Sequence, residues 1–206
     1  MTRNVRDWCE KCPTFNRYEP QQQNRAPMQL IYTGVLFELV AINIIRPLPT
    51  TDRNNRYILT VVDHFTKHIE AYPLANQEAT TVARVFLNEF VSRYKVTYML
   101  HTDHGANFKS NLFKELYQML NIKKTRTTAC HPQCKKQVER IIHTIIDILK
   151  LTVRDTTNNW VLNIKLALMA YRSELQASTS YTQYFLLYGQ KMRLPCEVIY
   201  RPLERD

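Results

Sequence analysis

Two carboxylates stand where they could serve chemistry. Asp103 follows the strand-like run "YMLHT" and opens the turn-like "HGANF"; α/β folds place their sites at the ends of sheet strands. Glu139 falls in the first turn of an otherwise apolar-faced helical pattern, offset from the Val138–Ile142 stripe. Taken singly, each has a plainer reading. An aspartate after a strand serves a turn, and an early helical glutamate answers the helix macrodipole. A third polar group interrupts "VAINIIRPLP", residues 40 to 49, where Asn43 lies among branched apolar neighbours. An amide buried in such a strand costs roughly 1–3 kcal/mol unless something bonds to it.

The thiols and the basic groups offer other chemistry. Cys9-x-x-Cys12 has the spacing of a zinc half-site, but structural zinc takes four ligands and the first histidine is His64. Residues 121–154 carry eight basic side chains against Glu139 and Asp147. Scattered lysines ordinarily make a solvated face. The formal charge of +10 favours an acidic partner, nucleic acid or an anionic membrane surface. No apolar run approaches the ~20 residues that span a bilayer, and "MTRNVRDWCEKC" is no signal peptide. A reducing compartment is the default, so the five cysteines are expected as thiols rather than disulfides.

These groups need elements to hold them. Residues 1–29 show little periodicity and end in "PQQQNRAP". Three strand-like runs follow, Phe37–Ile45, Arg56–Val62 and Lys67–Tyr72, joined by turn-like segments, so an antiparallel meander is expected. The period then becomes helical at Ala83, Leu87, Phe90, Val91 and Tyr94, with Asn76 as N-cap. A strand at Thr97–Thr102 precedes a helix carrying Leu112, Phe113, Leu116, Tyr117 and Leu120, capped by Asn107 or Ser110. "IKKTRT" (122–127) reads as one more strand. Two helices close the pattern, one with Val138, Ile141, Ile142, Ile145 and Leu149 on its apolar face, the other with Trp160, Ile164, Ala167, Leu168 and Tyr171. The order predicts a mixed α/β fold around one sheet. With only three glycines, Gly34, Gly105 and Gly189, each is expected to mark a backbone constraint.

Asp103 and Glu139 are separated by 35 residues, inside "HTDHGANF … TACHPQCKKQVER". With "RYILTVVDHFTK" before them and "STSYTQYFLLYGQKMRLP" after, this order of motifs resembles the integrase catalytic core of gypsy-type retrotransposons and retroviruses, over roughly residues 30–198. The resemblance implies a ribonuclease-H-like α/β fold, a mixed five-stranded sheet flanked by helices. It also implies an Asp, Asp, Glu triad holding two divalent metals, Mg²⁺ or Mn²⁺, for attack of water or a DNA 3′-hydroxyl on a phosphodiester. Two such ions about 4 Å apart polarise the attacking and leaving oxygens, and hard cations prefer anionic oxygen ligands. On the family pattern Asp103 matches the second triad position and Glu139 the third. The first falls on Asn43, whose amide offers one neutral oxygen and a donor NH₂.

Further departures from the pattern are Arg46 in place of a glycine, His104 after Asp103, and Cys134 and Lys136 at glycine positions. The N-terminal stretch resembles the end of the family's zinc domain, with Cys12 a lone remnant ligand, so zinc is not expected. The implied organisation is a stub and linker at 1–29, a core at 30–198 and a tail at 199–206. The implied partner is DNA, contacted through phosphates by Lys123, Lys124, Lys135, Lys136 and Arg140, with His131 either beside the cleft or in the core. Integrase cores commonly dimerise, which makes a homodimer the expected assembly; no membrane partner is expected, and the location is nuclear or cytoplasmic. The sequence leaves three readings open. They are an integrase-core-like protein with catalysis impaired at Asn43, a non-catalytic DNA- or protein-binding module, and a decaying copy.

Overall fold

A computed structural model describes residues 34–45, 47–102, 106–126, 132–152, 160–195 and 197. Five strands form one sheet in the order β3-β2-β1-β4-β5: β1 is Leu39–Ile45, β2 Tyr57–Asp63, β3 Ile69–Leu74, β4 Met99–Thr102 and β5 Lys123–Arg126. The expected meander is present: β1 pairs antiparallel with β2, and β2 with β3. Strands β4 and β5 then add in parallel on the other side of β1, with Leu39 opposite Met99 and Ile42 opposite Thr102. Parallel addition needs a crossover between the strands, and the helices supply it.

Residues of β1 alternate between two cores. Val40 and Ile42 point into one, which holds Phe86, Phe90, Phe113 and Leu116. Ala41 and Ile45 point into the other, which holds Val138, Ile141, Ile145, Trp160 and Ile164. The sheet is thus covered on both faces, which is why its inner strands read as nearly continuous apolar runs rather than as alternation.

On the first face, α1 (Ala79–Val85) runs on as a π-helical turn, Phe86–Val91. Val82, Ala83, Phe86 and Phe90 are the fully buried residues, while Leu87 and Val91 pack at the margin. Phe86, which the sequence reading did not assign to this face, falls on it at helical spacing from Val82, Ala83 and Phe90. The N-cap is Glu78 rather than Asn76, whose Oδ1 instead accepts from the Glu78 N–H at 3.1 Å in the preceding turn. Helix α2, Asn111–Met119, is capped by Ser110, whose Oγ accepts from the Phe113 N–H. Leu112, read as part of its apolar face, is 37% exposed; Phe113, Leu116 and Tyr117 carry the contact.

The second face carries α3, Pro132–Thr152, and α4, Trp160–Ser173, packed on each other. All ten residues assigned to their apolar faces are buried. The Trp160 indole N–H donates to the Pro49 carbonyl at 2.8 Å, tying the start of α4 to the loop after β1. A short α5, Gln183–Tyr188, ends at Gly189, whose φ of 72° is the left-handed C-terminal conformation glycine adopts without strain. Gly34, by contrast, has open space where a Cβ would sit. Gly105, Cys9 and Cys12 lie outside the described residues.

Candidate functional site

Asn43 sits in the second half of β1, opposite Thr60 of β2. Alternation along the strand puts it on the face of Ala41 and Ile45, the face that α3 covers. It is half-buried rather than enclosed. Its Oδ1 accepts from the Ile44 N–H at 2.9 Å, and its backbone carbonyl accepts from Thr60 Oγ1 at 3.1 Å. The buried-amide problem is therefore met locally, by the next peptide of its own strand. That hydrogen bond engages the one atom of the side chain able to face a cation; the other, the NH₂, can only donate.

Glu139 is half-buried on α3, directly after Val138, whose side chain is in the same core as Ala41 and Ile45. One face of the sheet and one helix thus bring Asn43 and the Glu139 turn of α3 to the same layer. Asp103 lies outside the described residues. The residue before it, Thr102, ends β4 beside Ile42, the neighbour of Asn43. His131 also lies outside. Among the described residues, no group of three or more histidine, cysteine, aspartate or glutamate side chains could hold a metal ion.

The basic residues divide. Lys123 and Arg140 are exposed. The Lys124 ammonium donates to the Phe108 carbonyl and lies 4.8 Å from the centre of the Tyr117 ring, so it also braces β5 against α2. Lys135 and Lys136 fall in the first turns of α3.

Sequence reasoning missed a buried polar cluster at the β3 edge. Glu70 Oε1 accepts from Tyr94 Oη at 2.6 Å and from the Arg172 guanidinium at 2.6 Å, and lies 3.2 Å from His68 Nε2. Burial alone would raise the Glu70 pKa; the His68 hydrogen bond, the Arg172 charge and the Tyr94 hydroxyl outweigh it and hold the carboxyl below its ordinary range. Burial lowers the pKa of His68, opposed by Glu70. The available signal was a glutamate between Ile69 and Ala71 in a buried strand. His64, buried with its ring edge-on to His101 at 6.2 Å, is pushed down to about 4 by burial, then by Lys67 and His101.

A mixed sheet in this order, with helices on both faces and α3 over β1, is the ribonuclease-H-like arrangement of retroviral integrase core structures. Residues 40–132 match the integrase core domain family. The chain is similar to the integrase cores of retroviral and retrotransposon Pol proteins. A retrovirus-related Pol polyprotein from transposon 412 of Drosophila melanogaster is 26% identical over 196 residues, 95% of this chain and 16% of that protein. The Pol polyprotein of radiation murine leukemia virus (strain Kaplan) is 35% identical over 135 residues, 65% of this chain and 23% of that one. The chain thus spans less than a quarter of either relative. The HTLV-2 integrase catalytic core domain, solved in complex with magnesium, superimposes with a TM-score of 0.58 at 17% identity over 71% of this chain and 93% of that one. A simian T-cell lymphotropic virus intasome gives 0.68 at 17%, over 94% of this chain and 69% of that one. At these identities the solved structures support the fold.

Proposed function

We propose that this chain is a DNA-binding integrase core in which two-metal strand transfer is impaired, with Asp103 and Glu139 as the remaining metal-binding carboxylates. The observation that carries the reading is Asn43, on the sheet face that α3 covers, with its only ligating oxygen accepting from the Ile44 N–H. The donor set does not fit a pair of Mg²⁺ or Mn²⁺ ions. An amide in place of the first carboxylate removes one negative charge and leaves one neutral oxygen beside a donor NH₂, where a carboxylate would offer two anionic oxygens. The core is assigned to residues 30–198, between flanking segments 1–29 and 199–206.

Calorimetry with Mn²⁺ on the protein and on Asn43→Asp tests this. The parent is expected to bind weakly and the aspartate variant at least about tenfold more tightly, since a restored anionic ligand near a divalent ion is worth more than about 1.4 kcal/mol. Strand transfer is expected to be undetectable in the parent and to recover little in the variant, because Cys134 and Lys136, at the family's glycine positions, lie in the first turns of α3, where they hold the backbone leading to Glu139 in helix. Tight two-ion binding or robust turnover by the parent would overturn the assignment of Asn43.

A homodimer is the proposed assembly. Its support is α4, which leaves Leu162 68% and Leu166 53% exposed one turn apart. Sedimentation of the parent and of Leu166→Glu checks it: a dimer that becomes a monomer is expected, and an unchanged state would refute this face as the interface.

A further inference from the structure

We infer that the loop between β1 and β2, residues 47–56, grips the phosphodiester backbone of a DNA duplex through Arg53 and Arg56. The inference rests on the DNA-binding reading above and extends it to a loop outside the basic stretch at 121–154.

The loop is folded before any ligand arrives. The Leu48 N–H donates to the Arg56 carbonyl at 2.7 Å, and the Thr51 N–H donates to the Asn55 carbonyl at 3.1 Å. Thr51 is buried; its carbonyl accepts from the Asn54 N–H at 2.8 Å and its hydroxyl from the Asn55 N–H at 3.1 Å. Asn54 sits at φ 59°, a left-handed turn conformation that asparagine tolerates. Outside contacts then fix the loop in place. The Arg56 N–H donates to the Leu74 carbonyl at 2.9 Å on β3, and the Pro49 carbonyl accepts from the Trp160 indole on α4. Leu48 packs on the core that holds Leu149 and Trp160. Side chains carried on such a frame bind with little backbone ordering left to do.

Charge selects the ligand. Asp52, Arg53 and Arg56 are exposed, and none of them forms an ion pair among the described residues. Two cations against one carboxylate favour an anion, and the planar guanidinium fork matches phosphate oxygens. None of the exposed large apolar residues lies in the loop, so an apolar partner has little to bury there. Position favours a duplex that also meets the site. Asn43 is paired with Thr60, and Arg56 stands four residues before Thr60. At roughly 3.3 Å per residue that is about 13 Å along the strand, the rise of about four base pairs. A duplex passing Asn43 in that direction meets the loop within about half a helical turn.

Fluorescence anisotropy with a labelled duplex of arbitrary sequence, titrated at several salt concentrations, decides it. Arg53→Gln and Arg56→Gln are each expected to weaken binding several-fold and to flatten the log–log salt slope by about 0.9, one phosphate contact. Asp52→Asn, which removes the loop's carboxylate, should tighten binding several-fold. Lys191→Gln is the control. It changes an exposed cation that follows α5, itself joined to the end of α4 opposite Trp160, and should keep both affinity and slope. Thermal melting of all four should match the parent. If both arginine variants keep the parent's slope, the contact is refuted while DNA binding stands. An equal drop in Lys191→Gln would show an effect of bulk charge and likewise overturn it. If the parent does not bind DNA at low salt, the DNA reading and the contact fail together. Binding of poly-glutamate that the arginine variants lose, with duplex affinity intact, would assign the loop to an acidic protein partner and overturn the inference.

Discussion

Asn43 hydrogen-bonds to the backbone of its own strand, so the position is stable whether or not a cation is near. An aspartate there keeps an oxygen for the Ile44 N–H and gains a second, anionic one. Asn43→Asp is therefore expected to melt within a few degrees of the parent while its Mn²⁺ affinity rises. Scanning calorimetry with and without the ion separates the two effects. His64 poses the opposite case, a base enclosed without a charge to balance it. Its folded pKa lies near 4, below the ordinary 6.5, so the unfolded chain takes up the proton first. Stability is then full above about pH 6.5 and falls as pH drops toward 4, with His64 alone contributing a loss of about 2 kcal/mol between pH 7 and 5. Burial depresses His68 as well, and its loss runs in the same direction. Urea denaturation at the two pH values should show a smaller difference for His64→Gln than for the parent.

At the level of elements, β3 is an edge strand, and unpaired edges invite association with other chains. Here α4 sends Arg172 to it. The guanidinium donates from Nε at 3.1 Å and from a terminal nitrogen at 2.6 Å to the Ile69 carbonyl, and also reaches Glu70. One side chain thus covers a strand edge and neutralises a buried carboxylate. Arg172→Leu removes both, and unpairing a buried charge costs about 3 kcal/mol or more. Adding Glu70→Gln should return part of that loss, which a double-mutant cycle by chemical denaturation measures. At α2, Ser110→Ala removes the cap on the Phe113 N–H and is expected to cost about 1 kcal/mol.

For the molecule as a whole, a charge of +10 and a basic α3 predict duplex binding that is steep in salt and weak in sequence preference. Lys135→Glu with Lys136→Glu should lower affinity equally across unrelated duplexes. Affinity that stays flat between low and physiological salt would remove the phosphate-contact reading. The two-sided sheet tolerates such surface changes because its cores are separate layers, one built on Phe86, Phe90 and Phe113 and the other on Ile141, Ile145 and Trp160.

The sequence by itself determined most of the interior, Phe86 and Leu112 being exceptions. Branched runs at β1 and β2, and the Val138–Leu149 and Trp160–Tyr171 stripes, announce burial because period and hydrophobicity are local properties of the chain. It also carried the family's motif order, and with it Asn43, Asp103 and Glu139 as the residues to compare. It did not show the π-helical turn at Phe86–Val91, since a widened hydrogen-bond ladder leaves no mark in composition. Only the tertiary structure decided which sheet face α3 covers, and so that Asn43 lies on the layer of Glu139. A strand's alternation is the same whichever face a helix later occupies. The Arg172–Ile69 contact spans 103 residues of chain, and the Trp160–Pro49 contact spans 111. Such groups meet because the packed layers bring them together, and nothing in their local sequence requires it.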